Sequence, residues 1–186
     1  LLNPDLTFQH CCFRFPTLPM SVLDFFPINH RLTNSGLNGR YPRAWYSHSF
    51  DIDHPLGACL IVRSDVIQQV GPLDEAFYMY CEEVDWCFRI KQAGWKIYYT
   101  PDAEFIHVGG ASSRQNVGPM FVELHRSRDR FFCKHYGAAF AGAARAIVRL
   151  GSAAKSADAR RDNRKGLIDD AELTRRLAIY QEVNRW

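Results

Sequence analysis

Three carboxylates fall within four positions of one short stretch, FYMYCEEVDWCFRIKQAGW at residues 77–95. They are Glu82, Glu83 and Asp85, and aromatic residues lie on both sides of them. Acids in a first helical turn complement the helix dipole, and Asp85 lies four residues before Arg89, the spacing of a helical ion pair. This structural interpretation is the commoner one for such residues, and it accounts for Glu82 and Asp85. It accounts less well for Glu83, because one helical turn does not need three acids. A carboxylate at the mouth of an aromatic pocket gains a raised pKa and can act as a general base.

The six cysteines show no CxxC pair and no regular spacing. A free thiol behaves as a small apolar side chain, so we expect Cys81 and Cys87 to be buried in a helix. Unpaired cysteines are typical of a reducing, cytoplasmic compartment. Cys11 and Cys12 with His10 are candidate zinc ligands, but adjacent cysteines lack the usual ligand spacing, so a zinc site is not favoured.

Positive charge is concentrated in one part of the 186-residue chain, whose net charge is +3. Residues 112–150 carry seven basic and two acidic side chains. Such a segment suits phosphate or an anionic membrane surface, and a solvated helix face explains it equally well. The Arg-rich pieces HRSRDR and ARRDNRKG contain no recognition motif and are interspersed with acids, so nucleic acid is the least favoured partner. No run of about 18 apolar residues is present, so the sequence predicts no membrane-spanning helix.

The elements that must position the three acids follow from hydrophobic periodicity and from Gly and Pro punctuation. Residues 1–56 predict a long connection with one helix near residues 20–26. After it, strands alternate with helices, which indicates an α/β class. We predict strands at 58–62 and 95–100, an extended segment at 103–110, and helices at 64–70, from Glu82 to Gly94, at 120–137, at 138–150 and at 169–184. The intervening residues 151–166 are rich in Ala, Ser, Arg and Asp and predict a linker.

Five ordered motifs carry a resemblance to a known family: GACLIVR, GPLDEAFYMY, EEVDWCFR, AGWKIYYTP and HVGGAS. Over about residues 1–137 the sequence resembles the C-terminal half of the catalytic domain of family 2 glycosyltransferases, particularly the bacterial rhamnosyltransferase-like branch. The resemblance implies a partial GT-A fold, a Rossmann-like α/β domain of the kind that transfers sugars from nucleotide diphosphates with inversion. It implies two parts: an acceptor-side half at residues 1–137 and a helical C-terminal extension at 138–186.

The resemblance also implies roles for residues around the three acids. Glu83 aligns with the family's catalytic base, where Asp is more usual, and would take the proton of the acceptor hydroxyl. Glu82 and Asp85 would support the helix start or touch the acceptor. Tyr80 and Trp86 belong to the aromatic wall expected on the acceptor side.

Three further residues are implied for the donor side. His107, in HVGGAS, aligns with a metal ligand of some GT-A enzymes, where a divalent ion such as Mn or Mg stabilises the leaving diphosphate. A lone His at a strand end is by default a structural, hydrogen-bonded residue. Arg126 and Arg130 align with basic residues near the diphosphate, which Arg can hold in a bidentate fork. The implied partners are a nucleotide sugar and a saccharide or lipid-linked acceptor, at the cytoplasmic side of a membrane.

The donor-binding βα units and D-x-D motif of the family are missing from this sequence. Asp51 and Asp53 spell DID, but downstream of where that motif belongs. We therefore expect a fragment that binds donor poorly and has little activity alone. Unpaired strand edges recruit other chains, so we also expect self-association, most simply as a C2 dimer. The alternative is a non-catalytic binding or assembly module that retains the acceptor-side surface.

Overall fold

The computed structural model describes residues 1–26, 29–109 and 117–185; of Val117 the backbone alone is described. The structure contains both helices and short strands, with helices in the majority, which agrees with the mixed α/β class predicted from the sequence. The helices are α1 (Leu18–Phe25), α2 (His30–Thr33), α3 (Ser64–Val70), α4 (Glu82–Gln92), α5 (Val117–His135), α6 (Ala138–Arg164) and α7 (Asp170–Val183). The strands are β1 (Cys12–Phe13), β2 (Phe50–Asp51), β3 (His54–Pro55) and β4 (Tyr98–Tyr99), and short 3-10 helices span Gly36–Asn38 and Arg43–Ser47.

The described strands form two small antiparallel sheets. β1 pairs with β3, with Cys12 opposite Pro55, and β2 pairs with β4, with Phe50 opposite Tyr99. The strand predicted at 95–100 is therefore reduced to Tyr98–Tyr99, and of the extended segment at 103–110 only Ile106 pairs, with Leu2. Position 110 lies outside the described residues, as do 111 and 112 of the HVGGAS motif.

The prediction of a buried strand at 58–62 is wrong, because these residues form a turn and an irregular loop. Ile61 in its centre is 92% exposed. A strand needs a neighbour that satisfies its backbone N–H and C=O groups, and no described strand lies alongside this loop. The apolar sequence is that of a buried strand, but the pairing that would bury it is absent from the described part of the chain.

α4 forms where the sequence predicts it. Val84, Cys87 and Ile90 share its buried face, at the i, i+3 and i+6 spacing of an amphipathic helix. The expected burial of Cys81 and Cys87 is confirmed, and none of the six cysteines, all in the described residues, is disulfide-bonded. Gly94, at φ 88°, ends the helix in a conformation that glycine adopts without steric cost.

Two apolar clusters of the described residues meet at α4. One surrounds Cys87 and Ile90 and includes Ile52 and Val66, whereas the other surrounds Val84 and includes residues of α5 and α6. Phe131 and Phe132 of α5 are fully buried in the second cluster. α4 therefore packs against both clusters.

The linker predicted at 151–166 is wrong, because α6 continues without a break to Arg164. Ala and Arg are strong helix formers, and tertiary packing overrides the low apolar content of this segment. Gly151, Ser152 and Ala159 are buried, and α6 packs against α1, α5 and α7. The segment is polar along one face and packed along the other.

Of the remaining helices, α1, α3, α5 and α7 agree with the sequence, whereas α2 and the two 3-10 helices within residues 1–56 were not predicted. α1 covers the helix expected near 20–26, and α5 is followed by Gly137 at φ 87°. The Asp169 side chain caps α7 by accepting the Glu172 N–H at 2.8 Å. α7 packs on α5 as well as on α6. Among the described residues, no helix combines the length and the apolar character needed to cross a membrane.

Candidate active site

The backbone immediately before α4 adopts an unusual conformation. Tyr80 and Cys81 have φ values of 65° and 64°, so two consecutive non-glycine residues occupy the left-handed region. Each costs about 1–2 kcal/mol relative to right-handed backbone. The sequence gives no glycine, Asn or Asp here to signal such a turn. The left-handed turn leads directly into α4, so that Glu82 and Glu83 are its first two residues.

Glu83 is the most perturbed acid of the three. Burial raises its pKa to about 7, and the charge of Glu82 adds to the effect, while backbone N–H groups of Glu83, Val84 and Gly57 act in the opposite direction. Its Oε2 atom is buried and has no hydrogen-bond partner within the described structure. A carboxylate with one unsatisfied oxygen and a pKa near neutrality is suited to accept a proton.

The loop at residue 57 closes over this carboxylate. A Cβ on Gly57 would lie 3.7 Å from the Glu83 carboxyl carbon, so the backbone of Gly57 packs directly on the acid. Glu82 also has a buried Oε2 without a partner among the described residues. Two adjacent acids therefore keep unsatisfied oxygens at the start of one helix.

Asp85 has a different environment and a different role. Its side chain is completely buried and accepts hydrogen bonds from Arg89 Nε at 2.8 Å, from Lys134 Nζ at 2.7 Å and from His135 Nε2 at 2.7 Å. Burial by itself would raise its pKa, but the bonds from Lys134, His135 and Arg89 hold the pKa below its ordinary value. The predicted Asp85–Arg89 ion pair is confirmed. Asp85 has its lone pairs occupied by three donors and ties α4 to the end of α5.

Lys134 and His135 were not predicted as site residues. Basic residues at a helix C-terminus are an ordinary response to the helix dipole, so the sequence gives no sign that they reach a buried acid 49 and 50 positions away. Only the packing of α5 on α4 creates this contact. Arg89 extends the network by donating to the carbonyl oxygens of Val70 and Pro72, at 2.9 and 2.8 Å.

The aromatic residues around the acids divide between core and surface. Phe77 is buried, whereas Tyr78 is 79% exposed and Tyr80 is partly exposed. Trp86 Nε1 donates to the Gly71 carbonyl oxygen at 2.8 Å, so its ring is fixed against the end of α3. Tyr78 and Tyr80 thus remain on the accessible side of the turn.

The basic residues predicted for the diphosphate lie on α5. Arg126 forms ion pairs with Glu123 at 2.9 Å and Glu182 at 3.7 Å, and therefore links α5 to α7. Arg130 lies 5.8 Å from the Phe77 ring, on the same side as Lys134 at 5.7 Å. These two cations lie beside the turn that leads to Glu82.

His107 lies in a separate part of the molecule, where Nδ1 donates to Gln9 Oε1 at 2.9 Å. This bond leaves Nε2 as the nitrogen suited to a metal. Within the described residues no three His, Cys, Asp or Glu side chains are grouped as a metal site would require.

Two other candidates from the sequence are engaged in structural contacts. Lys91 Nζ lies 3.0 Å from Asp51 Oδ1 and 3.4 Å from Asp53 Oδ1, so the DID acids anchor α4. Cys11 and Cys12 are buried with their sulfur atoms 3.8 Å apart.

An apolar cavity of about 370 Å³ opens beside the 58–62 loop. Ile52, Val66 and Ile97 contribute to its floor, and the exposed Ile61 and Tyr98 lie at its rim. It adjoins α4 at Ile90.

This chain is of the mixed α/β class, and paired acids begin α4 directly after a strained turn. Its sequence is similar to those of glycosyltransferases. More particularly, it is 37% identical over 82 residues to the N-acetylglucosaminyl-diphospho-decaprenol L-rhamnosyltransferase of Mycobacterium tuberculosis, a match covering 44% of this chain and 27% of that protein. It is 32% identical over 83 residues to rhamnosyltransferase WbbL of Escherichia coli, covering 45% of this chain and 31% of that protein. The low-salt glycan biosynthesis hexosyltransferase Agl10 of Haloferax volcanii is 34% identical over 56 residues, covering 30% and 18%.

These matches confirm the resemblance to rhamnosyltransferase-like glycosyltransferases that the motifs predict. The match spans less than a third of the length of these relatives. No protein-family model matches the chain, and no solved structure matches it.

Proposed function

We propose that this chain supplies the catalytic base and the acceptor side of an inverting glycosyltransferase with a GT-A-like fold. The observation that carries the proposal is Glu83: its buried Oε2 has no partner among the described residues, and its pKa is raised to about 7. The similarity to rhamnosyltransferases supports the proposal of a nucleotide diphosphate sugar as donor, a saccharide or lipid-linked hydroxyl as acceptor, and cell-surface polysaccharide synthesis as the setting.

In the proposed reaction the acceptor oxygen attacks the anomeric carbon of the donor. The bond from that carbon to the phosphate oxygen breaks, the nucleoside diphosphate leaves, and Glu83 takes the acceptor proton. A base whose pKa lies near the working pH is deprotonated often enough to act and basic enough to accept. Tyr78 and Tyr80, on the accessible side of the turn, offer a surface for a sugar ring.

On the donor side we propose that Arg130 holds the diphosphate, since it lies beside the turn at Phe77, whereas the neighbouring Lys134 is engaged by Asp74 and Asp85. Arg126 is assigned to the same group on the resemblance alone, because it bridges Glu123 and Glu182. We retain His107 as a proposed ligand for a divalent ion. Such an ion, when bound, would neutralise charge on the leaving diphosphate.

The test compares wild type with Glu83→Gln, assaying product formation by mass spectrometry across a panel of nucleotide sugars, with and without manganese. Two polypeptides carry each variant: this chain alone, and a chimaera with the amino-terminal part of the Mycobacterium tuberculosis relative placed before residue 1. We expect the chimaera to be the active form. Glu83→Gln should lower its kcat at least about 100-fold, while donor binding measured by calorimetry persists. Unchanged turnover would refute the base assignment.

A non-catalytic assembly module remains the second candidate, favoured by the cavity and the exposed Ile61 at its rim. Exposed apolar surface of this kind marks an interaction site. We propose that another polypeptide covers it, most simply a second copy in a C2 dimer, and that the protein acts in the cytoplasm at the inner face of the membrane. A monomer mass by light scattering at micromolar concentration would count against the dimer.

A further inference from the structure

The strained turn before α4 must be held by something outside itself. Left-handed backbone at two successive non-glycine residues, Tyr80 and Cys81, persists only where surrounding structure enforces it. The Cys81 carbonyl oxygen accepts the Asp85 N–H at 2.8 Å, so the turn also forms the first hydrogen bond of α4. If the turn relaxed, the direction of the first helical residues would change with it.

Ser127 of α5 is placed to hold this turn. Its hydroxyl donates to the Met79 carbonyl oxygen at 2.7 Å, and the residue has no solvent exposure. A buried hydroxyl bonded to the backbone of another element is costly to remove, because the Met79 carbonyl oxygen loses its side-chain donor. The bond fixes the residue immediately before the two left-handed positions.

The same face of α5 reaches the acids at a second point. Lys134 and His135 lie seven and eight residues after Ser127, which returns them to the same side of the helix two turns later. Both donate to Asp85, at 2.7 Å each. α5 therefore holds the segment on both sides of Glu83, through Met79 before it and Asp85 after it.

We propose that Ser127 is a positioning residue for Glu83: by holding the Met79 carbonyl it maintains the left-handed turn and keeps the Glu83 carboxyl aimed and shielded from water. This proposal depends on the proposed function in one respect, namely that Glu83 is the base. The groups that face this carboxyl are the charge of Glu82, the thiols of Cys81 and Cys87, and the backbone N–H groups at Gly57 and Val84.

The test measures the titration of Glu83 directly, in protein carrying ¹³C at the glutamate carboxyl carbons. The Glu83 signal is the one lost in Glu83→Gln. In Ser127→Ala we expect the midpoint to fall by about one pH unit, because water reaches a carboxyl whose pKa is raised mainly by burial. In the active chimaera the same change should lower kcat about 10- to 100-fold with little change in KM, as expected for a displaced catalytic group.

Two controls separate positioning from general destabilisation. Ser152→Ala removes a buried serine hydroxyl that has no partner among the described residues, and should leave the Glu83 midpoint unchanged. The double variant Tyr80→Gly/Ser127→Ala places at position 80 a glycine, which adopts the left-handed conformation unaided. Its Glu83 midpoint should return toward the midpoint of the single variant Tyr80→Gly.

An unchanged midpoint in Ser127→Ala overturns the proposal, and so does a shift that Tyr80→Gly fails to reverse. If Ser127→Ala does not fold, Ser127→Cys replaces it under the same criteria, since a thiol keeps most of the volume and is a weak donor. Should Glu83→Gln retain full turnover while Ser127→Ala still moves the midpoint, the base assignment fails and the positioning role stands.

Discussion

Replacing Glu83 by Gln is expected to stabilise the folded protein at alkaline pH, although it removes the proposed base. A carboxyl whose folded pKa lies above its unfolded pKa binds its proton more tightly when folded. The wild-type protein therefore loses stability as pH rises from the unfolded value of 4.5 toward the folded value of about 7, and the loss is complete above pH 7. Gln carries no charge and escapes this loss.

The magnitude follows from the two pKa values. Their separation, at about 1.4 kcal/mol per pH unit, corresponds to about 3.3 kcal/mol at pH 8 and about 0.8 kcal/mol at pH 5. Because Glu83 Oε2 has no partner in the described structure, the Gln amide group would be unsatisfied, a cost of about 1 kcal/mol that is the same at both pH values. The pH dependence, about 2.5 kcal/mol between pH 5 and 8, is the part that isolates the carboxyl.

Urea unfolding of wild type and Glu83→Gln at pH 5 and pH 8 measures this difference. The matched control is Glu75→Gln, an exposed acid in the preceding turn, which should change stability equally at both pH values. If the advantage of Glu83→Gln over wild type is no larger at pH 8 than at pH 5, the carboxyl does not have the buried, near-neutral character described above.

The remaining predictions concern unfolding free energies from the same denaturant assay. Asp85→Asn should cost about 2–3 kcal/mol, because Arg89 and Lys134 each lose a charge-assisted hydrogen bond to a buried carboxylate while Lys134 keeps Asp74. Asp158→Asn, which breaks an exposed pair, should cost under about 1 kcal/mol. The effect of Asp85→Asn should shrink as pH falls below 4. The pKa of Asp85 is lowered in the folded protein, so the stability that its charge provides is lost on acidification, and a constant effect would contradict this. Gly151→Ala should destabilise by about 1–3 kcal/mol, because its Cβ would lie 2.2 Å from the Phe25 ring. Gly142→Ala, in open space on the same helix, should stabilise by about 0.5–1 kcal/mol, and equal effects of the two alanines would refute the packing argument.

Helices were predictable from this sequence where local signals agree with burial. The periodicity of Val84 and Cys87, the Gly137 stop and the Asp169 cap each act within a few residues of the chain, so no tertiary information is needed. The Asp85–Arg89 pair was predictable for the same reason.

The parts that failed depend on distant partners. The 58–62 segment has the sequence of a buried strand but no neighbour in the described structure, and residues 151–164 have the composition of a linker but become helical by packing on α1 and α7. The left-handed Tyr80 and Cys81 carry no local signature, because Ser127, 47 positions from Tyr80, lies on another helix. The roles assigned to Glu83, His107, Arg126 and Arg130 stay predictions.

The C-terminal helices α6 and α7 support the candidate active site indirectly. Both pack on α5, the helix that bonds the Met79 carbonyl oxygen and Asp85. A change in either C-terminal helix that tilts α5 would therefore be transmitted to Glu83 without touching it. Substitutions in α6 or α7 would then alter the environment of Glu83 from a distance, through the position of α5.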